Sequence, residues 1–188
     1  MEKYYLVSSN EDKLKEFKNI LPEIKLKKGI DLKEVLSNSL DVILYKVLEL
    51  GQEYNIVEDT ILEIYIKGEW KELVDIRFLI EKGEISQYEG LKARWLTSLG
   101  VLKNEEIFVY RGIIDGVLSF NKYIKDSFGF DSFFYPNGKN KSLFELNKEG
   151  LKSNYSARHD ALINFKQNNI YYQVLRKDVP IWNGSYQK

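Results

Sequence analysis

The segment from Tyr4 to Phe17, YYLVSSNEDKLKEF, sets an apolar run against a small polar turn and then a charged stretch. Leu14, Phe17, Ile20 and Leu21 continue it in helical register until Pro22. A strand that turns straight into a helix is the unit from which helices are packed on a sheet, so this segment points toward an α/β layout. It also contains a conflict. Lys13 lies in the first turn, where the partial positive charge of a helix start disfavours a cation unless something negative sits nearby.

The rest of the chain continues the alternation. EIKLKK alternates apolar with charged residues, as a partly exposed strand does. A helix is expected from about Ser39 to Tyr54, with Leu40, Ile43, Leu44, Val47 and Leu48 on one side and Asp41 off that stripe. NIVEDTILEIYIKGEW reads as strand, acidic break, strand and glycine turn, followed by a strand-like LVDIRFLI. Ser86 to Gly100 carries helix signals, with Leu91, Trp95 and Leu99 in register. EIFVYRG, GVLSF and SFFYPNG read as strands bounded by Gly or Asn. A last helix is expected from Ser156 with Ala161, Leu162 and Phe165, and then a strand NIYYQVL. No repeat or linker divides the chain. The expectation is one α/β domain, 1–188, with a mixed sheet and a C-terminal extension from about residue 174.

Composition removes several chemistries. At 188 residues the chain can bury a core without staples, and the absence of cysteine excludes disulfides, thiolate nucleophiles and zinc knuckles. With His159 alone, no multi-histidine metal site can form, so a metal would rest on oxygen ligands and be magnesium, manganese or calcium. Twenty-eight basic and 28 acidic residues cancel, which argues against a nucleic-acid or anionic-membrane footprint but permits a local anion site. No stretch approaches the roughly 20 apolar residues of a membrane span. A cytoplasmic protein is expected.

Four stretches could carry chemistry. In SSNEDK, Ser8 and Asn10 could donate to phosphate oxygens while Lys13 supplies charge, or Ser9 or Asn10 could cap the helix. In VEDT, Glu58 and Asp59 would point to opposite faces of a straight strand, so that one of them, Asp59, could bind a divalent cation or position a water, or the pair could form an exposed acidic turn. In SFGFDSFFYPNG, Phe128 and Phe130 could sandwich a flat heterocycle with Asp131 accepting from its ring N–H groups, or the stretch could be a core strand with a bulge. In KSNYSARHDALINF, Lys152 precedes a serine-capped helix and Arg158 lies in its first turn, which repeats the conflict of Lys13. One ligand suits all four: anionic at one end, planar at the other, with a metal between.

At these residues the chain resembles the inosine triphosphate pyrophosphatase family, the Ham1-like non-canonical purine nucleoside triphosphate pyrophosphatases. SSNEDKLKEF is similar to its Ser/Thr-x-Asn-x-x-Lys-x-x-Glu block, VEDT to its acidic block, FGFDSFF to its Phe-Gly-aromatic-Asp-Pro block and KSNYSAR to its Lys-x-x-x-Ser-His-Arg block. The order agrees, and weaker similarity covers Ile30 to Val47, Gly90 to Trp95 and YRGIIDG. The resemblance implies an elongated mixed sheet flanked by helices around a central nucleotide cleft, usually dimeric. It implies Mg2+-dependent hydrolysis (Mn2+ as substitute) of ITP, dITP and XTP to the monophosphate and pyrophosphate. By position, Ser8, Asn10 and Lys13 would hold the phosphates, with Lys152 and Ser156 closing from the other side. Asp41 would take the place of the family's metal-binding Glu. Glu58 and Asp59 match the acidic pair, Asp59 as base or metal partner; Phe128, Phe130, Asp131 and Arg158 would line the base pocket.

The departures are specific. Ala157 replaces the family histidine, and His159 lies two positions on, turned roughly 200° away on a helix. Ser132 stands where the family has proline, Ile61 where it has glycine, and 63–88 does not match. The usual strand between the helix expected at Trp95 and YRGIIDG finds no counterpart. An alternative of another class is a sensor that binds dITP or ITP and signals to an effector protein, for example in antiphage defence. The aromatic tail residues Trp182 and Tyr186 would then serve docking, or the tail folds on its own core.

Overall fold

The computed structural model describes residues 3–28, 30, 32–73, 76–122 and 130–187, with Asp12 and Arg77 described by their backbone alone. Phe128 lies outside the described residues. The elements run β1 (Tyr5–Val7), α1 (Glu11–Lys18), β2 (Lys25–Lys27), α2 (Ser39–Leu50), β3 (Asn55–Ile66), β4 (Glu69–Glu72) and α3 (Ile76–Glu81). They continue with β5 (Lys92–Lys103), β6 (Glu106–Leu118), β7 (Phe134–Pro136), α4 (Leu143–Lys148), α5 (Ala157–Gln167) and β8 (Tyr172–Leu175). Strand order is β2-β1-β3-β5-β6-β7, with β4 added on β3 and β8 on β6. Parallel pairing of β1 with β2 and β3, and antiparallel pairing of β6 with β7 and β8, make the sheet mixed and the class α/β. No helix among the described residues is long and apolar enough to cross a membrane.

The chain forms two compact units, the first from Met1–Thr60, Thr97–Gly112 and Arg158–Lys188, the second from Ile61–Leu96 and Ile113–Ala157. In unit 1, Tyr5 of β1 stands opposite Lys25 of β2 and Asn55 of β3. Its core includes Leu6, Phe17, Ile56, Leu99, Tyr110 and Leu162 in one cluster, and Val7, Ile43, Val47, Val57, Leu102 and Ile107 in another. Asn38 caps α2 by accepting from the N–H groups of Leu40 and Asp41, and Gly51 ends it four residues short of Tyr54. The tail folds on this unit: Tyr186 bridges Val35 and the Trp182 ring lies 5.1 Å from that of Tyr45.

The seat of α2 depends on Gly100 in β5. A Cβ there would lie 2.7 Å from Cγ2 of Val47 and 2.9 Å from Cγ1 of Ile43, both on the buried face of α2. Gly100→Ala is expected to lower stability by about 1–3 kcal/mol through overpacking, read as a lower denaturant midpoint with an unchanged m-value. A neutral result would mean that α2 shifts freely on the sheet.

In unit 2, β3 and β4 form a hairpin with Tyr65 opposite Trp70, turned by Lys67 and Gly68, both at positive φ (52° and 88°). Its core includes Leu62, Trp95, Leu118, Phe130, Phe133 and Phe134.

Several sequence expectations are corrected. VEDT is not a break at a strand end: Glu58 and Asp59 lie within the 12-residue strand β3. The end of LVDIRFLI, from Ile76 on, lies in helix α3 (Ile76–Glu81), because Ile76, Leu79 and Ile80 make a helical face that packs on the unit 2 core. The helix expected over Ser86 to Gly100 is a short 3-10 turn, Glu84–Tyr88, and then β5. Thr97 to Leu102 are all buried, so the strand has no exposed face to show a period of two, and Leu91, Trp95 and Leu99 mimic a helical stripe. EIFVYRG and GVLSF are one strand, β6, with Gly112 and Gly116 inside it.

Candidate functional site

The N-terminal corner is built by short-range hydrogen bonds. Ser8 Oγ accepts from the Asn10 N–H at 3.0 Å, and Asn10 Oδ1 accepts from the Lys13 N–H at 3.3 Å, so Asn10 caps α1. The cation in that first turn has its counter-charge: Lys13 Nζ lies 2.9 Å from Glu58 Oε2. Arg158, in the first turn of α5, meets the same carboxylate, with Nη2 donating to Glu58 Oε1 at 3.1 Å and Nη1 donating to Glu16 Oε2 at 2.6 Å. Both misplaced helix cations are therefore answered by one glutamate on β3. The Thr60 hydroxyl adds a bond to Glu58 Oε1 at 2.6 Å.

The electrostatics of this cluster follow from its burial. Burial alone would raise the Glu58 carboxyl, but Arg158 first, then Lys13 and the Thr60 hydroxyl, hold it well below the usual carboxylate range. Burial likewise opposes the Arg158 charge, and Glu58 and then Glu16 outweigh it. The Glu58 and Arg158 side chains are only 2% and 3% exposed, whereas that of Lys13 is 24% exposed. Lys13 is thus the member that solvent-borne ligands can reach. Arg158 Nε is buried without an acceptor, although Nη1 and Nη2 are each paired.

Alternation along β3 turns Asp59 the other way, toward α2. Lys46 Nζ lies 2.8 Å from Asp59 Oδ1 and 2.6 Å from Glu34 Oε1. Burial pushes the Asp59 carboxyl above its ordinary range, the Lys46 ammonium pulls against that, and Glu34 and Glu58 add to the rise. The Lys46 ammonium is raised, because Asp59 and Glu34 outweigh the effect of its burial. Two carboxylates against one ammonium leave a negative charge over, and Glu34 keeps 41% exposure. Asp41 is engaged elsewhere, its Oδ2 accepting from Ser37 Oγ at 2.5 Å and Asn38 Nδ2 at 3.0 Å.

Unit 2 holds the aromatic residues. Phe130 meets Trp95 edge to face with centroids 5.4 Å apart, and Lys152 Nζ pairs with Asp131 Oδ2 at 2.6 Å while lying 5.6 Å from the centre of the Trp95 ring. Ser156 and Ala157 are buried where α5 begins. The Trp95 indole N–H and the Ser132 hydroxyl are buried without partners. Arg158, expected beside the base-lining residues, is engaged by the carboxylates of unit 1.

Sequence reasoning missed Glu34, Lys46, Glu16, Thr60 and Trp95. A signal existed for Lys46, since a lysine three residues after Ile43 and four before Leu50 falls at the edge of the apolar stripe. Nothing comparable marks Glu34, which lies in irregular chain.

Among the described residues no group of three acidic or histidine side chains could cage a metal. Magnesium rarely needs one, since it is commonly held by one or two carboxylates together with substrate phosphates and waters. Asp59 and Glu34 supply two carboxylates, with the Lys46 ammonium paired to both.

Comparisons with known proteins agree with this reading of the fold. The Ham1 family model matches residues 4–168. A dITP/XTP pyrophosphatase of Clostridium tetani is 25% identical, over 89% of this chain and 96% of its own. The solved structure of the Staphylococcus aureus Ham1 protein superposes with a TM-score of 0.66 at 22% identity, covering 89% of this chain and 97% of that one. A nucleoside-triphosphatase (dITP/XTP pyrophosphatase) of Mycobacterium abscessus gives a TM-score of 0.55 at 19% identity, covering 89% and 98%. With a strand-to-helix corner whose lysine faces a buried glutamate, and a family match that spans most of its length, the chain belongs to the Ham1 family.

Proposed function

We propose that this protein hydrolyses deaminated purine nucleoside triphosphates, dITP, ITP or XTP, to the monophosphate and pyrophosphate. The observation that carries the reading is the convergence of Lys13 and Arg158 on Glu58, with Asp59 on the other side of the same strand against Lys46 and Glu34. Membership of the family and the name of the Clostridium tetani relative support the substrate class.

Each residue has a task that its surroundings suit. Lys13, the exposed member of its cluster, contacts phosphate oxygens, and Arg158 holds Glu58 so that Lys13 keeps its place. Ser8 and Asn10 shape the turn that presents the helix start to the phosphates. Asp59, raised by burial, takes a proton from the water whose oxygen attacks the α-phosphorus as the α–β bridging bond breaks. Asp59 and Glu34 would hold Mg2+, which when bound offsets the charge of the phosphate chain. In unit 2, Phe130 packs on Trp95 and Lys152 pairs with Asp131, a separate cluster of ring, acceptor and cation.

A binding-only sensor that signals to an effector is the second reading, favoured by the fully buried Ala157 where the resemblance places a histidine. Pyrophosphate release from dITP, ITP, XTP and ATP with Mg2+, measured beside their binding constants, separates the two. Turnover of the first three well above ATP is the expected result. Tight binding of dITP without turnover would leave the sensor, and no binding to any would reject both.

A further inference from the structure

The last residues of the chain lie beyond the stretch matched by the Ham1 family model, and they return to the segment that supplies Glu34. Residues 33–36 belong to no helix or strand apart from a single antiparallel bridge between Val35 and Tyr186. Around that bridge the Leu36 N–H donates to the Ser185 carbonyl at 2.9 Å, and the Gln187 N–H donates to the Glu34 carbonyl at 2.8 Å. Gln187 Nε2 donates to the Val35 carbonyl at 3.2 Å. The backbone at Glu34 and on its C-terminal side is therefore tied to the tail.

The tail is itself anchored on α2. The Tyr45 hydroxyl donates to the Pro180 carbonyl at 2.8 Å, and the Trp182 indole N–H donates to the Ser185 carbonyl at 3.2 Å. Gly184 permits this turn, because a Cβ there would lie 2.5 Å from Cζ2 of Trp182. Tyr45 and Lys46 are consecutive, so the helix that presents the ammonium also anchors the segment that steadies its glutamate. Irregular chain with a part-exposed carboxylate loses conformational entropy when held in one place, and here tail bonds meet that cost.

We propose that Ser185–Gln187 form a strap that fixes Glu34 against Lys46, making the C-terminus a positioning element of the Glu34–Lys46–Asp59 cluster. Its consequence for cation affinity rests on the function proposed above; the strap does not. Residues that orient ligand groups from outside a metal site typically change affinity by about 10–100-fold.

The test measures acylation of Lys46 by an N-hydroxysuccinimide ester, followed by mass spectrometry, with Mn2+ affinity read in parallel without nucleotide. The proteins are the full chain, a chain ending at Gly184, full-length Gly184→Val, Glu34→Gln, and the shortened chain carrying Glu34→Gln. Both tail variants are expected to label faster at Lys46 but not at the half-buried Lys152, and to bind Mn2+ about tenfold more weakly. Shortening the Glu34→Gln protein is expected to add nothing, since the strap acts through that carboxylate. Unchanged Lys46 labelling in both tail variants overturns the proposal, as does equal extra labelling in the Glu34→Gln background or an increase shared by Lys152. A full chain that holds no Mn2+ but whose tail variants expose Lys46 supports the strap and counts against the cation reading alone.

Discussion

Glu58→Gln is expected to lower the unfolding free energy by about 3–5 kcal/mol, the cost of breaking a buried ion pair by removing one partner. The substitution keeps shape and volume but removes the charge that Lys13 and Arg158 both face. Arg158 cannot shed its proton, and its side chain is 3% exposed, so its cation would be left with Glu16 alone. Urea denaturation at pH 7 reads the effect as a lower midpoint. A loss below about 1 kcal/mol, the ceiling for exposed pairs, would mean that water already reaches this cluster.

The same carboxylate sets the acid response. Its pKa is depressed in the folded chain, so the stability it contributes is complete above the ordinary glutamate value of 4.5 and is lost as pH falls through the folded value. Wild-type stability should decline steadily below that point. The Glu58→Gln protein should show a flatter profile over the same range.

Asp59→Asn is expected to reduce turnover by about 10²–10⁴-fold, the usual contribution of a positioned general base, while dITP binding measured without Mg2+ stays within a few-fold. Asparagine preserves the geometry at Lys46 but cannot take up the proton of the attacking water. Because burial raises the Asp59 carboxyl, the acid limb of wild-type kcat/KM should lie above the ordinary aspartate value of 3.8. Stability should change less than for Glu58→Gln, because Lys46 keeps Glu34. Turnover that survives in Asp59→Asn would exclude it as the base. A metal-free binding loss as large as the rate loss would instead assign it to substrate holding.

The two substitutions differ because adjacent residues of one strand face opposite ways. Sequence patterning located the pair and recognised that both carboxylates could not face one pocket on a straight strand. It did not recognise that the strand continues through them. Two acidic residues in a buried strand look like a break until Lys13, Arg158 and Lys46, distant in sequence, are brought alongside.

Local pattern was enough where an element is amphipathic or its cap is encoded nearby. The corner at Ser8 and Asn10, the start of helix α2, the start of α5 and the terminal strand could all be read directly. The cations at two helix starts could be read as a conflict that demanded an anion. Only folding determined that one glutamate satisfies both, that β5 is a strand buried along most of its length, and that Glu34 meets Lys46 while Asp41 is engaged by Ser37 and Asn38. Those outcomes depend on long-range contacts, in which burial erases the alternation that marks a strand and pairing supplies charges that no local window contains.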